Sequence, residues 1–148
     1  MTTLKGRFKP QNPRKYKGDP TNIIYRSSWE LKFMKFCDLR EDILQWQSEE
    51  FAIPYKHPID GKFHRYFPDF LVKVKTASNQ IETWVVEIKP YAQTREPKKT
   101  DSCRITKRYI NEVKTYAINK YKWDYAEAWC KDRNYKFVIF TEKELNIK

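Results

Sequence analysis

Residues 65–89 read RYFPDFLVKVKTASNQIETWVVEIK. Residues 65–74 and 81–89 are rich in Phe, Tyr, Trp, Val and Ile, and residues 76–80 between them are a polar turn. That pattern predicts two strands closed into an antiparallel hairpin. The twofold strand period puts Asp69 on the face of Phe67 and Leu71, and puts Glu87 and Lys89 on the face of Val85. Two carboxylates and one ammonium can therefore converge across neighbouring strands.

Upstream, Ser27 or Ser28 can cap a helix whose breaker-free run extends from Trp29 to Leu39. Trp29, Phe33, Phe36 and Cys37 share one face at helical spacing, with Met34 at its edge. Glu30 points into that apolar face, where a carboxylate needs a partner or a cation. Residues 43–47 and 51–55 read as short strands, and Pro58, Asp60 and Gly61 carry turn chemistry within residues 57–62.

Downstream of Pro90, residues 91–100 form a basic loop. Asp101 or Ser102 then caps an expected helix with the stripe Ile105, Tyr109, Val113, Tyr116 and Ala117. A second helical segment over residues 121–131 turns Trp123, Ala126, Trp129 and Cys130 inward, and residues 135–141 form a last strand. The order of helix, strands, helices and strand predicts an α/β (α+β) domain, a central mixed sheet flanked by helices, over residues 23–148.

Composition narrows the function classes. The chain has 148 residues, 40% of them hydrophobic and 16% aromatic, enough for one real core and too many for a disordered chain. Its 30 Lys and Arg against 19 Asp and Glu give a formal charge of +11, which suits a polyanion such as double-stranded DNA. No long apolar run suggests a membrane partner, and no apolar leader opens the sequence. Cys37, Cys103 and Cys130 stand far apart without a Cys-x-x-Cys pair, and the only histidines are His57 and His64, so neither structural zinc nor a disulfide framework is expected, and the reading is a reduced, cytoplasmic protein.

The positive charge is concentrated twice. Residues 1–22 carry Lys5, Arg7, Lys9, Arg14, Lys15 and Lys17 among prolines and glycines, and read as a flexible arm that contacts phosphates. Arg95, Lys98, Lys99, Arg104, Lys107 and Arg108 follow Lys89 closely and are placed to grip a duplex backbone, with Tyr109 beside them. No base-reading motif accompanies them, so shape or ends are the expected target.

The convergent set suits phosphodiester hydrolysis. A hard divalent ion such as Mg2+, with Mn2+ as substitute, prefers oxygen ligands, and Asp69, Glu87 and the Ile88 carbonyl can supply them. Such an ion polarises the phosphate and acidifies a bound water. Lys89 is placed to orient or deprotonate that water, or to neutralise charge on the phosphorane, and spacing alone leaves these roles open. Glu30, from the helix, adds a fourth carboxylate on the same side. Glu49 and Gln93 are secondary site candidates, while His57 and His64 read as surface residues beside a turn rather than general bases.

Glu30, Pro68-Asp69 and Glu87-Ile88-Lys89, in that order, resemble the PD-(D/E)xK nuclease superfamily. Residues 25–30 (YRSSWE), Ser48-Glu49, Ile53-Pro54-Tyr55, residues 64–70 (HRYFPDF) and residues 86–90 (VEIKP) look like its TnsA-like branch. TnsA-like transposon proteins often carry Gln where Glu87 stands and add a C-terminal domain, so transposition is the weaker context. The likeness is closer still to the head completion nucleases of large contractile-tailed phages, over residues 5–142.

This resemblance implies a restriction-endonuclease-like core, with Asp69 and Glu87 as metal ligands and Lys89 as catalytic lysine. Glu30 would bind the metal directly or through water. It further implies action late in phage assembly, in the cytoplasm of an infected bacterium or on the virion, at packaged DNA ends or at portal or head proteins, so that a filled head accepts a tail. A Holliday-junction-type resolvase and a non-catalytic DNA-end or portal-binding head completion protein are the competing readings.

Overall fold

The computed structural model describes residues 4–48, 51–98 and 105–147. In chain order the elements are β1 (Gly6–Phe8), β2 (Ile23–Tyr25), α1 (Ser28–Leu39), β3 (Ile43–Ser48), β4 (Ile53–Lys56), β5 (Phe63–Tyr66), β6 (Phe70–Lys75), β7 (Ile81–Ile88), α2 (Lys107–Asp132) and β8 (Lys136–Phe140). Single 3-10 turns occupy Pro13–Lys15 and Tyr91–Thr94.

The central sheet runs β3-β6-β7-β8. β6 is antiparallel to both β3 and β7, and β8 is parallel to β7, which makes the sheet mixed, as expected. A parallel pair needs a crossover, and α2 supplies it. One face of the sheet presents Phe70, Val72, Val74, Val86 and Ile88 to Phe33, Met34 and Cys37 of α1. The other face presents Val85, with Leu71, Phe137 and Ile139, to Trp123, Ala126 and Cys130 of α2. The result is a helix–sheet–helix α/β core of the restriction-endonuclease-like kind.

α1 begins where its cap directs. The Ser27 hydroxyl accepts the Glu30 N–H at 3.1 Å, and Glu30 Oε2 accepts the Arg26 N–H at 3.1 Å. This is a capping-box exchange displaced by one residue, and it accounts for a carboxylate on an otherwise apolar face. Phe36, expected inward, is instead 41% exposed, stacking on Phe33 at 6.0 Å under the Arg40 guanidinium.

Three further expectations are corrected. Residues 65–74 are two strands, not one: β5 leaves the central sheet to pair with β4, and the break falls at Phe67-Pro68-Asp69. Pro68 has no N–H for a ladder, so pairing stops there. The two helical segments after residue 105 are one helix of 26 residues, capped by the Thr106 hydroxyl at the Tyr109 N–H (3.1 Å). Its buried stripe is Asn119, Trp123, Ala126 and Cys130, whereas Val113 is exposed and Ile105 lies before the helix. The proposed caps Asp101 and Ser102 lie outside the described residues.

The third correction concerns the basic N-terminal stretch. Over residues 4–22 it is packed on the domain rather than held away from it. β1 pairs with β2, and Phe8 and Tyr16 are buried against Trp46 with ring centroids 5.9 and 4.7 Å away. Asp38, near the C-terminus of α1, receives the Gln11 and Asn12 N–H groups at 2.8 and 2.9 Å. Lys15 Nζ donates to the carbonyls of Asp38 and Arg40, at 3.1 and 2.6 Å. Those carbonyls belong to the negative end of the helix, where a cation is favoured.

Candidate active site

Asp69 sits in the break between β5 and β6, just before the last paired positions of the β6–β7 ladder, Phe70 and Val86. Freed from strand geometry, its carboxylate turns toward β7, and Oδ2 accepts the Ile88 N–H at 2.7 Å. Glu87 occupies the α2-facing side of β7 and is 6% exposed. Its Oε2 accepts the Tyr66 hydroxyl at 2.6 Å, and its Oε1 lies 3.9 Å from Lys89 Nζ. Lys89 follows β7 directly and is anchored by its own N–H to the Phe140 carbonyl, at 3.0 Å.

Burial dominates the electrostatics of the site. Burial pushes the Asp69 carboxyl well above the ordinary carboxylate range, and neighbouring Glu87 and then Glu30 push it further, against the Ile88 N–H and Lys89. Burial also raises Glu87, opposed by the Tyr66 hydroxyl, Lys89 and Lys122. Burial and Glu87 raise the Tyr66 hydroxyl, so it remains a neutral donor. Burial lowers Lys122, while the attraction of Glu87 opposes that. Two desolvated carboxylates that repel each other form an all-oxygen donor set, which suits a hard divalent cation.

Asp69, Glu87 and Lys89 thus meet as the sequence predicts, and Glu30 lies near enough for its charge to bear on Asp69. They do so by a different route. Asp69 arrives from a chain break rather than from a strand face, and Phe67, assigned to the same face, is 47% exposed. Ile88 enters through its N–H. Glu49 lies outside the described residues, as do Lys99 and Arg104.

Gln93 lies in the 3-10 turn after Lys89 and lines an open cleft of about 690 Å³ between that turn and α2. Arg95, Arg108, Asn111, Thr115 and Asn119 line it too. Lys98 and Lys107 are exposed beyond it. Lys5, Arg7, Lys9, Arg14 and Lys17 are exposed on the N-terminal stretch, apart from Lys15, whose ammonium is committed to α1.

Residues 40–142 match the TnsA-like endonuclease N-terminal family. The chain is also 39% identical over 142 residues to the head completion nuclease of Enterobacteria phage T4, covering 95% of this chain and 92% of that protein. The chain belongs to the TnsA-like endonuclease family. Asp69, Glu87 and Lys89 all fall inside the matched span of the TnsA-like domain, while Glu30 lies before it.

Sequence reading missed two side chains that stand beside the candidate site. Tyr66 lies in the quoted stretch, but its alternation from Asp69 is broken by Pro68, which hid its approach to Glu87. Lys122 comes from α2, with Nζ 5.7 and 5.8 Å from the ring centroids of Tyr55 and Tyr66. A lysine directly before Trp123, which the helical spacing turns inward, was the available signal.

Proposed function

We propose that this chain is a divalent-metal-dependent DNA endonuclease of the PD-(D/E)xK kind. It acts late in phage assembly, at packaged DNA ends, to complete the head before tail joining. The observation that carries the reading is the meeting of Asp69, Glu87 and Lys89 at the end of β7 in a TnsA-like domain. The phage setting draws support from the 39% identity to a protein named head completion nuclease.

Asp69 and Glu87 would hold the ion, with the Ile88 carbonyl and Glu30 as further oxygen donors. Mg2+ is the expected ion, with Mn2+ as substitute. When bound, it polarises the scissile phosphate and acidifies a water. The protein's own groups do the rest. The Ile88 N–H and the Tyr66 hydroxyl each fix one carboxylate oxygen, so the ligands are oriented before substrate arrives. Lys89 Nζ stands 3.9 Å from Glu87 Oε1, and its role is to neutralise charge that develops on the phosphate. Arg95 and Arg108, on opposite walls of the cleft, hold the backbone of the duplex.

The work place of such a protein is the cytoplasm of the infected bacterium or the virion itself, and the portal or head proteins are its neighbours there. Among the described residues no helix is long and apolar enough to cross a membrane. Complementation tests this reading. Heads assembled without the protein are supplied with wild type or with the Asp69→Asn, Glu87→Gln double variant. Infectious particles from wild type alone are expected. Equal rescue by the folded double variant contradicts a catalytic role in the head.

A further inference from the structure

The β4–β5 hairpin carries a second group of metal-ligand side chains, separate from the carboxylates of the nuclease site. His57 follows β4, Asp60 lies in the turn and His64 lies in β5. One ligand atom from each of the three lies within 4.8 Å of the others, and among the described residues this is the one such group of three His, Cys, Asp or Glu. The two imidazole rings face each other at 4.5 Å between centroids, tilted by 39°. Asp60 bridges them, with Oδ2 at 2.7 Å from His64 Nε2 and Oδ1 at 3.9 Å from His57 Nδ1.

The backbone sets this arrangement independently of any ion. The Gly61 N–H donates to the His57 carbonyl at 2.9 Å and the His57 N–H to the Lys62 carbonyl at 2.8 Å. Gly61 takes φ of +70°, a conformation side-chain-bearing residues rarely adopt. The Lys62 N–H holds Asp60 Oδ1 at 2.8 Å, and the Ile59 N–H approaches His57 Nδ1 at 3.2 Å. Tyr55, paired with His64 across the ladder, walls the group with its ring 6.1 Å from His57 and 5.9 Å from His64.

Two imidazoles and one carboxylate are a metal donor set. The spacing His-x2-Asp-x3-His is within the range from which short turns ligate zinc. The absence of cysteine pairs speaks against thiolate-bound zinc, but this donor set needs no cysteine. Imidazole nitrogen selects borderline transition metals over Mg2+.

We propose that His57, Asp60 and His64 form a binding site for a Zn2+-class transition-metal ion, three protein ligands with water completing the shell. The ion pins the two ends of the hairpin turn. β5 continues from His64 to Tyr66, which holds Glu87, so the ion steadies the strand that supports the nuclease site.

The test uses full-length chelator-stripped protein carrying Asp69→Asn, which weakens ion binding at the nuclease site. Calorimetric titration with Zn2+ and the visible spectrum of added Co2+ are the readouts. One Zn2+ per chain is expected, unaffected by millimolar Mg2+, with Co2+ bands of low coordination number. Both signals should vanish when His57→Ala or His64→Ala is added, in proteins whose far-ultraviolet circular dichroism is unchanged. No saturable one-to-one binding overturns the proposal and leaves an Asp60–His64 ion pair that closes a turn. Binding that survives both histidine substitutions overturns it equally.

Discussion

Asp69 Oδ2 accepts the Ile88 N–H at 2.7 Å, just beyond the last pair of the β6–β7 ladder. One carboxylate oxygen thus completes the backbone of β7 while the same side chain serves the site. Structure and chemistry can be separated there by substitution. Asp69→Asn keeps an acceptor for Ile88 and removes the charge. It should abolish cleavage yet stabilise the metal-free protein by on the order of 1 kcal/mol, because a desolvated, repelled carboxylate is gone. Asp69→Ala should abolish cleavage too, but destabilise by about 1–3 kcal/mol by leaving a buried N–H unpaired. Urea unfolding in chelator reads both.

The same carboxyl dictates a pH dependence. Burial and Glu87 raise it in the folded chain above its unfolded value, and Glu87 is raised as well. The folded state therefore holds these protons more tightly. Their stabilising contribution is complete below the ordinary carboxylate range and is lost as pH rises through the raised folded values. In chelator, the Tm of wild type should fall more between mildly acidic and neutral pH than that of the Asp69→Asn, Glu87→Gln variant. Saturating Mg2+ should remove most of the difference, since a bound cation favours the charged forms. Parallel melting curves for the two proteins across that window would refute the assignment.

Tyr66 ties the β4–β5 hairpin to the central sheet through its 2.6 Å hydrogen bond to Glu87. Tyr66→Phe removes the donor without changing the ring. It should cost about 1–2 kcal/mol of stability and weaken Mg2+ binding roughly tenfold, because an oriented ligand loses its support. Isothermal titration separates this effect from a loss of folding, which circular dichroism monitors.

The N-terminal stretch bears on DNA affinity through charge, and its packing dictates how to test that. Deleting residues 1–20 would strip Phe8 and Tyr16 from the core and confuse unfolding with weakened DNA binding. Replacing exposed Arg7, Lys9, Arg14 and Lys17 with Gln keeps the fold. The slope of log affinity against log salt should then become shallower by about 1 for each phosphate no longer neutralised. An unchanged slope would mean that these residues face solvent in the complex. Asp38→Ala, by contrast, should destabilise the protein by about 2–3 kcal/mol, since two backbone donors lose their acceptor.

Sequence separation explains why some features were legible in sequence and others were not. The Ser27 cap, the β6–β7 hairpin and the order of Asp69, Glu87 and Lys89 rest on neighbours within a few residues, or on a period that survives from end to end. The break at Pro68 was signalled by a missing donor, but strong alternation on either side masked it. α2 looked like two helices because its stripe changes from exposed Val113 to buried Asn119, and polarity alone does not reveal burial. The docking of residues 4–22 depends on Asp38, some 26 positions away, and the charge of Lys122 bears on Glu87 from 35 positions away. Interactions over that length are made by packing, which no local pattern encodes.

The most direct test of the central claim is cleavage of supercoiled and linear DNA by purified protein with Mg2+ or Mn2+. Wild type is compared with Asp69→Asn and Lys89→Ala. Wild type is expected to cut in a metal-dependent way, to stop in chelator, and to lose about a hundredfold or more of its rate in each variant that still folds and binds DNA. Undiminished cutting by either folded variant would contradict the assignment of the active site to Asp69, Glu87 and Lys89.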